Sequence, residues 1–244
     1  MKKTGANPST VLLRGTISGL ERSRRNHNFL LTENQHQKVG VTAIAASTFG
    51  MGATGMGLVG MANNTDEEAE WVEFELADKK VKGWLWMMPM RNGDVVEIVA
   101  ELLDDYYVAY AVKREGDELL AVYPHATAGR KVHYRKSIKI WLWCSILAYL
   151  FPMLIHVNNE GFASLLDPEI QLDLVISFAF CMCISSIIAF RVSRKLMGYV
   201  RTAEIIFETF GWTDIENIDL RKTSIENRRE NSLPNYGNLY FRYK

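Results

Sequence analysis

Two apolar stretches, 140–157 and 174–190, contain no charged side chain, and each has a dense cluster of Lys and Arg on one side. A hydrocarbon core about 30 Å thick takes about 20 residues of helix to cross, because every backbone N–H and C=O must find its partner within the segment. Arg130, Lys131, Arg135, Lys136 and Lys139 precede the first stretch, and Arg191, Arg194 and Lys195, with Arg201 beyond, follow the second. The connection between them carries Glu160, Asp167, Glu169 and Asp173 and no Lys or Arg. Basic residues near span ends stay on the cytoplasmic side. The pattern predicts a two-helix membrane hairpin with both termini cytoplasmic and a short acidic loop outside. Two buried helices in a soluble helical core are the competing expectation, since short apolar runs also occur there. Pro152 lies inside the first span, where it frees a carbonyl and favours a kink.

The remaining composition excludes more than it suggests. The 244 residues carry no net charge, which gives no overall basic bias toward nucleic acid. All three cysteines, Cys144, Cys181 and Cys183, fall within the apolar stretches, so they read as packing residues rather than a disulfide framework or a zinc site. The opening MKKTGANPST has no apolar run behind its lysines, so no cleavable signal peptide is expected.

From 11 to 128 the pattern is that of a cytoplasmic β domain behind a flexible 1–10. Short segments rich in β-formers recur at 11–20, 29–32, 71–76, 81–87, 95–102, 106–112 and 119–123, separated by turn residues such as Asp78, Asn92-Gly93 and Asp104-Asp105. Trp71-Val-Glu-Phe-Glu-Leu76 alternates apolar and acidic side chains, as a half-buried strand does. The spacing predicts a small antiparallel barrel or sandwich. Gly93-Asp94-Val95-Val96-Glu97-Ile98 followed by two hairpins resembles the five-stranded barrels of the OB type. The fold class expected is α+β: this barrel, then the transmembrane hairpin at 129–192, then a short cytoplasmic helix at 193–220 and a polar tail at 221–244, partly disordered or loosely docked. Gly211 is the expected stop of that helix, with Trp212 anchoring the turn.

Inside the β domain, 41–62 is uncharged and made mostly of Gly, Ala, Ser, Thr and Met. Thr42, Ala46, Gly50 and Thr54 recur every fourth residue, and Gly50, Gly55 and Gly60 every fifth. Small residues at such spacing let helix backbones approach closely in lipid, which makes Thr42, Ala46, Gly50, Gly55 and Gly60 candidates for membrane association and homo-oligomer formation. Against this, each glycine costs a helix about 1 kcal/mol relative to alanine, so a long insertion outside the membrane is the alternative.

No nucleophile elbow, phosphate loop, His-Glu-x-x-His or dinucleotide fingerprint occurs. His125 and His133 have no Cys or carboxylate at ligand spacing, and no catalytic, cofactor or metal residue is expected. The stretch Tyr110-Ala111-Val112 through Ala121-Val122-Tyr123-Pro124-His125 to Gly129-Arg130-Lys131 resembles the signature region of a proteobacterial family described as type VI secretion system effectors. The opening Arg14-Gly15-Thr16-Ile17-Ser18-Gly19-Leu20-Glu21, the Gly/Ala-rich insertion and the late pair of spans are similar too. The resemblance implies an inner-membrane protein acting on the bilayer by insertion, self-association and ion leak, with a secretion or immunity protein as partner. Residue physics leaves open a resident inner-membrane adaptor or immunity protein whose β domain binds another protein. A membrane-tethered enzyme is the third class, and it would need a polar pocket that no motif announces.

Overall fold

The computed structural model describes residues 10–27, 67–162, 167–227 and 235–243. Two compact units divide the chain: Met1–Val132 together with Met197–Lys244, and His133–Leu196. The first is built on a closed five-stranded barrel, and the second is an antiparallel pair of apolar helix segments.

The barrel strands are β1 (Thr10–His27), β2 (Glu67–Leu76), β3 (Lys79–Leu85), β4 (Val95–Leu103) and β5 (Tyr106–Arg114). β1 serves two neighbours in succession. Its first half pairs antiparallel with β4, Thr10 opposite Glu101 through Thr16 opposite Val95, and its second half pairs with β2 from Ile17 opposite Leu76. A bulge between Ser18 and Glu21 breaks the register near this change of partner and bends the strand. β2 and β3 form a hairpin whose two turn residues, Ala77 and Asp78, both have positive φ (47° and 66°), the mirror-image turn that matches strand twist. β4 and β5 form a second hairpin, turning at Asp104 and Asp105. The ring β1-β2-β3-β5-β4 closes where Val81 and Lys82 of β3 pair in parallel with Tyr107 and Val108 of β5.

Closure depends on Gly83. A Cβ there would stand 2.5 Å from the Ala109 carbonyl oxygen and 3.2 Å from the Ala109 Cβ and amide nitrogen. Only a residue without a side chain lets β3 come this close to β5. Inside, the alternation read from the sequence holds: Val72, Phe74 and Leu76 of β2, Val81 and Leu85 of β3 and Val96, Ile98 and Ala100 of β4 share one core. Met88 and Met90, from the irregular segment after β3, are fully buried in it. That segment has no ladder of its own, so side chains satisfy its backbone. Arg22 donates to the carbonyls of Met88 (2.9 Å) and Met90 (2.7 Å), and the Glu70 carboxylate accepts the Met88 N–H (2.8 Å).

β6 (Leu119–Val122) extends the sheet beyond the ring, and β7 (Phe241–Arg242) pairs with it. α1 is Arg130–Glu160, α2 is Pro168–Thr209 and α3 is Leu220–Asn227. α2 is one helix from the second apolar stretch through the segment expected as a cytoplasmic extension. It ends as expected at Gly211: the Gly211 N–H donates to Glu208 O (2.9 Å), the Trp212 N–H to Phe207 O (3.0 Å), and the Trp212 ring stacks on Phe207.

The end of the chain differs from the loosely docked tail that its polarity suggests. Residues 197–227 and 235–243 belong to the barrel's unit, and Tyr236, Tyr240 and Phe241 are buried. A few aromatic side chains in an otherwise polar stretch suffice, because each buries far more apolar area than its neighbours forfeit. The expected strand at 29–32 and the insertion at 41–62 lie outside the described residues.

An ion-pair cluster closes the end of the β4–β5–β6 hairpins. Arg114 grips Asp117 through Nε (3.0 Å) and Nη2 (2.7 Å) and reaches Asp94 through Nη1 (3.0 Å). Hydrogen bonds from Arg114 hold the Asp117 carboxyl below the ordinary carboxylate range, against the effect of burial. At Asp94 burial pushes upward, and the Arg91 N–H and Arg114 together outweigh it, leaving that carboxyl lowered as well. Both folded-state values are depressed, so their stabilisation is present above the ordinary value near 3.8 and is lost as pH falls through the folded values. Arg114→Met should cost about 1–2 kcal/mol at neutral pH, after discounting for solvent screening. In urea melts of the detergent-solubilised chain, that cost should shrink at pH 3. Gly83→Ala should cost about 1–3 kcal/mol at both pH values, since overpacking does not titrate.

Candidate functional site: the apolar helix pair and a tryptophan face

Among the described residues, α1 and α2 are long and apolar enough to cross a membrane. Their 31 and 42 residues span about 46 and 63 Å at 1.5 Å per residue, so both exceed the hydrocarbon thickness. Among the described residues little covers their apolar surface: 6% of the most apolar part of α1 and 0% of that of α2 is buried. A core helix of a soluble domain is mostly buried, whereas here Trp143, Leu147, Phe151, Leu154, Val175 and Phe180 are each at least 60% exposed.

Polar contacts join the helices at two levels. Ser185 Oγ accepts a hydrogen bond from the Trp141 indole N–H (3.2 Å) and lies 2.9 Å from Ser145 Oγ, which also donates to the Trp141 carbonyl (2.8 Å). Ser145 is 2% exposed, so this contact is sealed between the two backbones. Nearer the basic end, His133 Nε2 lies 3.0 Å from Ser193 Oγ. Toward the acidic end, Tyr149 meets Phe178 edge-on at 4.9 Å. A cleft of about 320 Å³ opens beside Pro152, with His156 and Asp173 among its lining residues. Interhelical hydrogen bonds in membranes average about 0.6 kcal/mol, so these contacts set register more than they supply stability.

The basic residues expected to orient the spans have two different environments. Arg130 and Lys131 are engaged within the barrel's unit. The buried Glu204 carboxylate of α2 accepts the Arg130 backbone N–H (2.8 Å) together with its Nε (2.9 and 3.0 Å) and Nη2 (2.7 Å), and Lys131 Nζ lies 3.1 Å from Glu216. One acid therefore caps the first turn of α1, where unsatisfied N–H groups and the helix dipole favour negative charge, and neutralises the side chain there. Gly129 allows this approach: a Cβ at that position would fall 2.2 Å from the Ile215 carbonyl oxygen. Arg135, Lys136, Lys139, Arg191 and Arg194 are exposed, and Lys195 is half-buried. Thr42, Ala46, Gly50, Gly55 and Gly60 lie outside the described residues.

The barrel offers a second candidate surface. On the outer face of β2 and β3, Trp71 stands opposite Trp84, Glu73 opposite Lys82 and Glu75 opposite Lys80. The two indoles meet edge-on at 5.2 Å and are half-buried, with the Trp71 N–H donating to Glu73 Oε1 (2.8 Å) and Glu73 Oε2 paired with Lys82 Nζ (2.7 Å). Charges on this face compensate, so its distinguishing feature is aromatic surface. The pairing was latent in the sequence, because Trp71 and Trp84 lie at equal distances from the Ala77-Asp78 turn. Glu204 carried no such signal, being one acid in a helix.

His125 lies between Trp86 (5.2 Å) and Tyr199 (5.1 Å), in ring contact with both. Among the described residues no three His, Cys, Asp or Glu side chains are grouped to hold a metal ion. No protein-family model, curated protein or solved structure matches the chain. Glu204→Ala removes the cap and the ion pair together while the half-exposed Arg130 turns to solvent. It should cost the barrel unit about 2 kcal/mol, read as a lower urea midpoint of tryptophan fluorescence.

Proposed function

We propose that this chain is a membrane-anchored binding protein: the helix pair holds it in a bacterial inner membrane, and the barrel recognises a protein partner at the cytoplasmic face. The observation that carries the anchor is two helices of spanning length whose apolar surface is left uncovered, with the exposed cations at one end and the acids at the other. That asymmetry supports cytoplasmic placement of the barrel and both termini. The ring order β1-β2-β3-β5-β4 supports an OB-type barrel, and in that architecture the β2–β3 face is a recognition surface. Here that face presents Trp71 and Trp84, the residue type most enriched at the energetic centres of protein interfaces.

A second reading, a type VI secretion effector that inserts, self-associates and leaks ions, is favoured by the same helices, whose apolar faces are exposed among the described residues and could meet further copies. Two experiments separate the readings. A photocrosslinker at Lys80 should give one discrete adduct in intact cells, and replacing both Trp71 and Trp84 by Ala should weaken it about thirtyfold. An adduct indifferent to both substitutions rules out recognition by this face. A potential-sensitive dye should report an unchanged membrane potential during expression; collapse of the potential favours the effector. Extraction of the chain by alkaline carbonate would remove the membrane anchor from either account.

A further inference from the structure

We propose that the basic end of the helix pair binds the phosphate headgroups of anionic phospholipids, an inference that rests on the membrane reading above. Three contacts set the level of one helix against the other: His133 with Ser193, Trp141 with Ser185 and Tyr149 with Phe178. On that antiparallel register Arg135 and Lys136 of α1 come level with Arg191 of α2, and Arg194 sits level with His133. Four cations therefore share about one helical turn, roughly 5 Å of axial length. Lys139 follows one turn nearer the apolar stretch, and Lys195 lies on the other side of the belt. Arg135, Lys136, Lys139, Arg191 and Arg194 all have exposed side chains.

Residues 133–159 and 174–196 contain no Asp or Glu, so the helix pair brings no negative charge of its own here. Apolar surface begins immediately inward, with Ile140 64% exposed and Phe190 61% exposed, and Arg194 rests 5.6 Å from the centre of the Phe190 ring. A ligand that fits must offer phosphate oxygens to the belt and hydrocarbon to the surface below it, which a phospholipid does and free phosphate does not. Three of the four level cations are arginines, whose planar forks match phosphate oxygens in pairs. Each basic residue at an anionic membrane surface contributes about a fivefold gain in association.

Trp141 and Trp143 lie just inside the belt and report on the lipid beside it. The chain is reconstituted in bilayers containing brominated phosphatidylglycerol in unbrominated phosphatidylcholine, or the reverse, and tryptophan quenching gives the relative association of the two headgroups. Phosphatidylglycerol should be preferred about fivefold or more, with the preference falling toward unity in 1 M salt and in the variant Arg135→Gln, Lys136→Gln, Arg191→Gln, Arg194→Gln. Equal quenching by the two brominated lipids, or a preference untouched by salt in the unaltered chain, overturns the proposal while leaving the anchor intact. Quenching by neither lipid overturns the anchor and the proposal together.

Discussion

The Glu204 carboxylate is the point on which the barrel's unit and the start of the first long helix depend. A chain that leaves a barrel and enters a helix must supply partners for the first N–H groups of that helix, and in this protein the partner comes from a residue 74 positions later. Because Glu204 also takes both Nε and Nη2 of Arg130, one acid satisfies a backbone donor and a guanidinium at once. Around it, the Gly129 N–H donates to Ile218 O and the Leu220 N–H to Thr127 O, so the segment leading into α1 and the segment leading into α3 share a short bonded seam. Side-chain freedom is scarce at this seam, which is why a glycine stands where the Ile215 carbonyl comes closest.

The barrel solves a related problem. An open five-stranded sheet of this size would present two edges ready to pair with other chains, and closure removes them. Closing the ring takes a bend in β1, provided by the bulge after Ser18, and a close approach of β3 to β5, permitted by Gly83. Outward-facing residues then divide by neighbourhood. On β4, β5 and β6 the outer face is largely buried as well, including Val99, Ala111, Leu120 and Val122. On β2 and β3 it is only half-buried among the described residues and carries the Trp71–Trp84 pair beside Glu–Lys rungs. This is the face we propose for recognition.

Much of this was legible in the residues. The alternation in 71–76, the turn residues at 78 and 104–105 and the spacing of the later strands placed β2 to β6 within a few residues, because a half-buried strand writes its period into its own sequence. β1 was harder: it runs to His27, beyond the expected 20, because its second half earns its place by pairing with β2 rather than by local pattern. The chain's end was harder still. Ser224 accepts the Arg242 N–H at 3.1 Å and β7 pairs with β6, contacts that join segments distant in sequence and leave no periodic trace in either.

By itself, the sequence determined the two helices of membrane-spanning length, their acidic and basic ends and the barrel's strands from β2 to β5, because hydrophobic length, charge and alternation are local properties. Tertiary structure alone decided how the ring closes and that the basic cluster is two populations. Arg130 and Lys131 are consumed by Glu204 and Glu216, while Arg135, Lys136, Arg191 and Arg194 gather on one level of the helix pair. The reason is physical: a side chain's charge is written in the sequence, but which groups it meets depends on the residues that folding brings beside it.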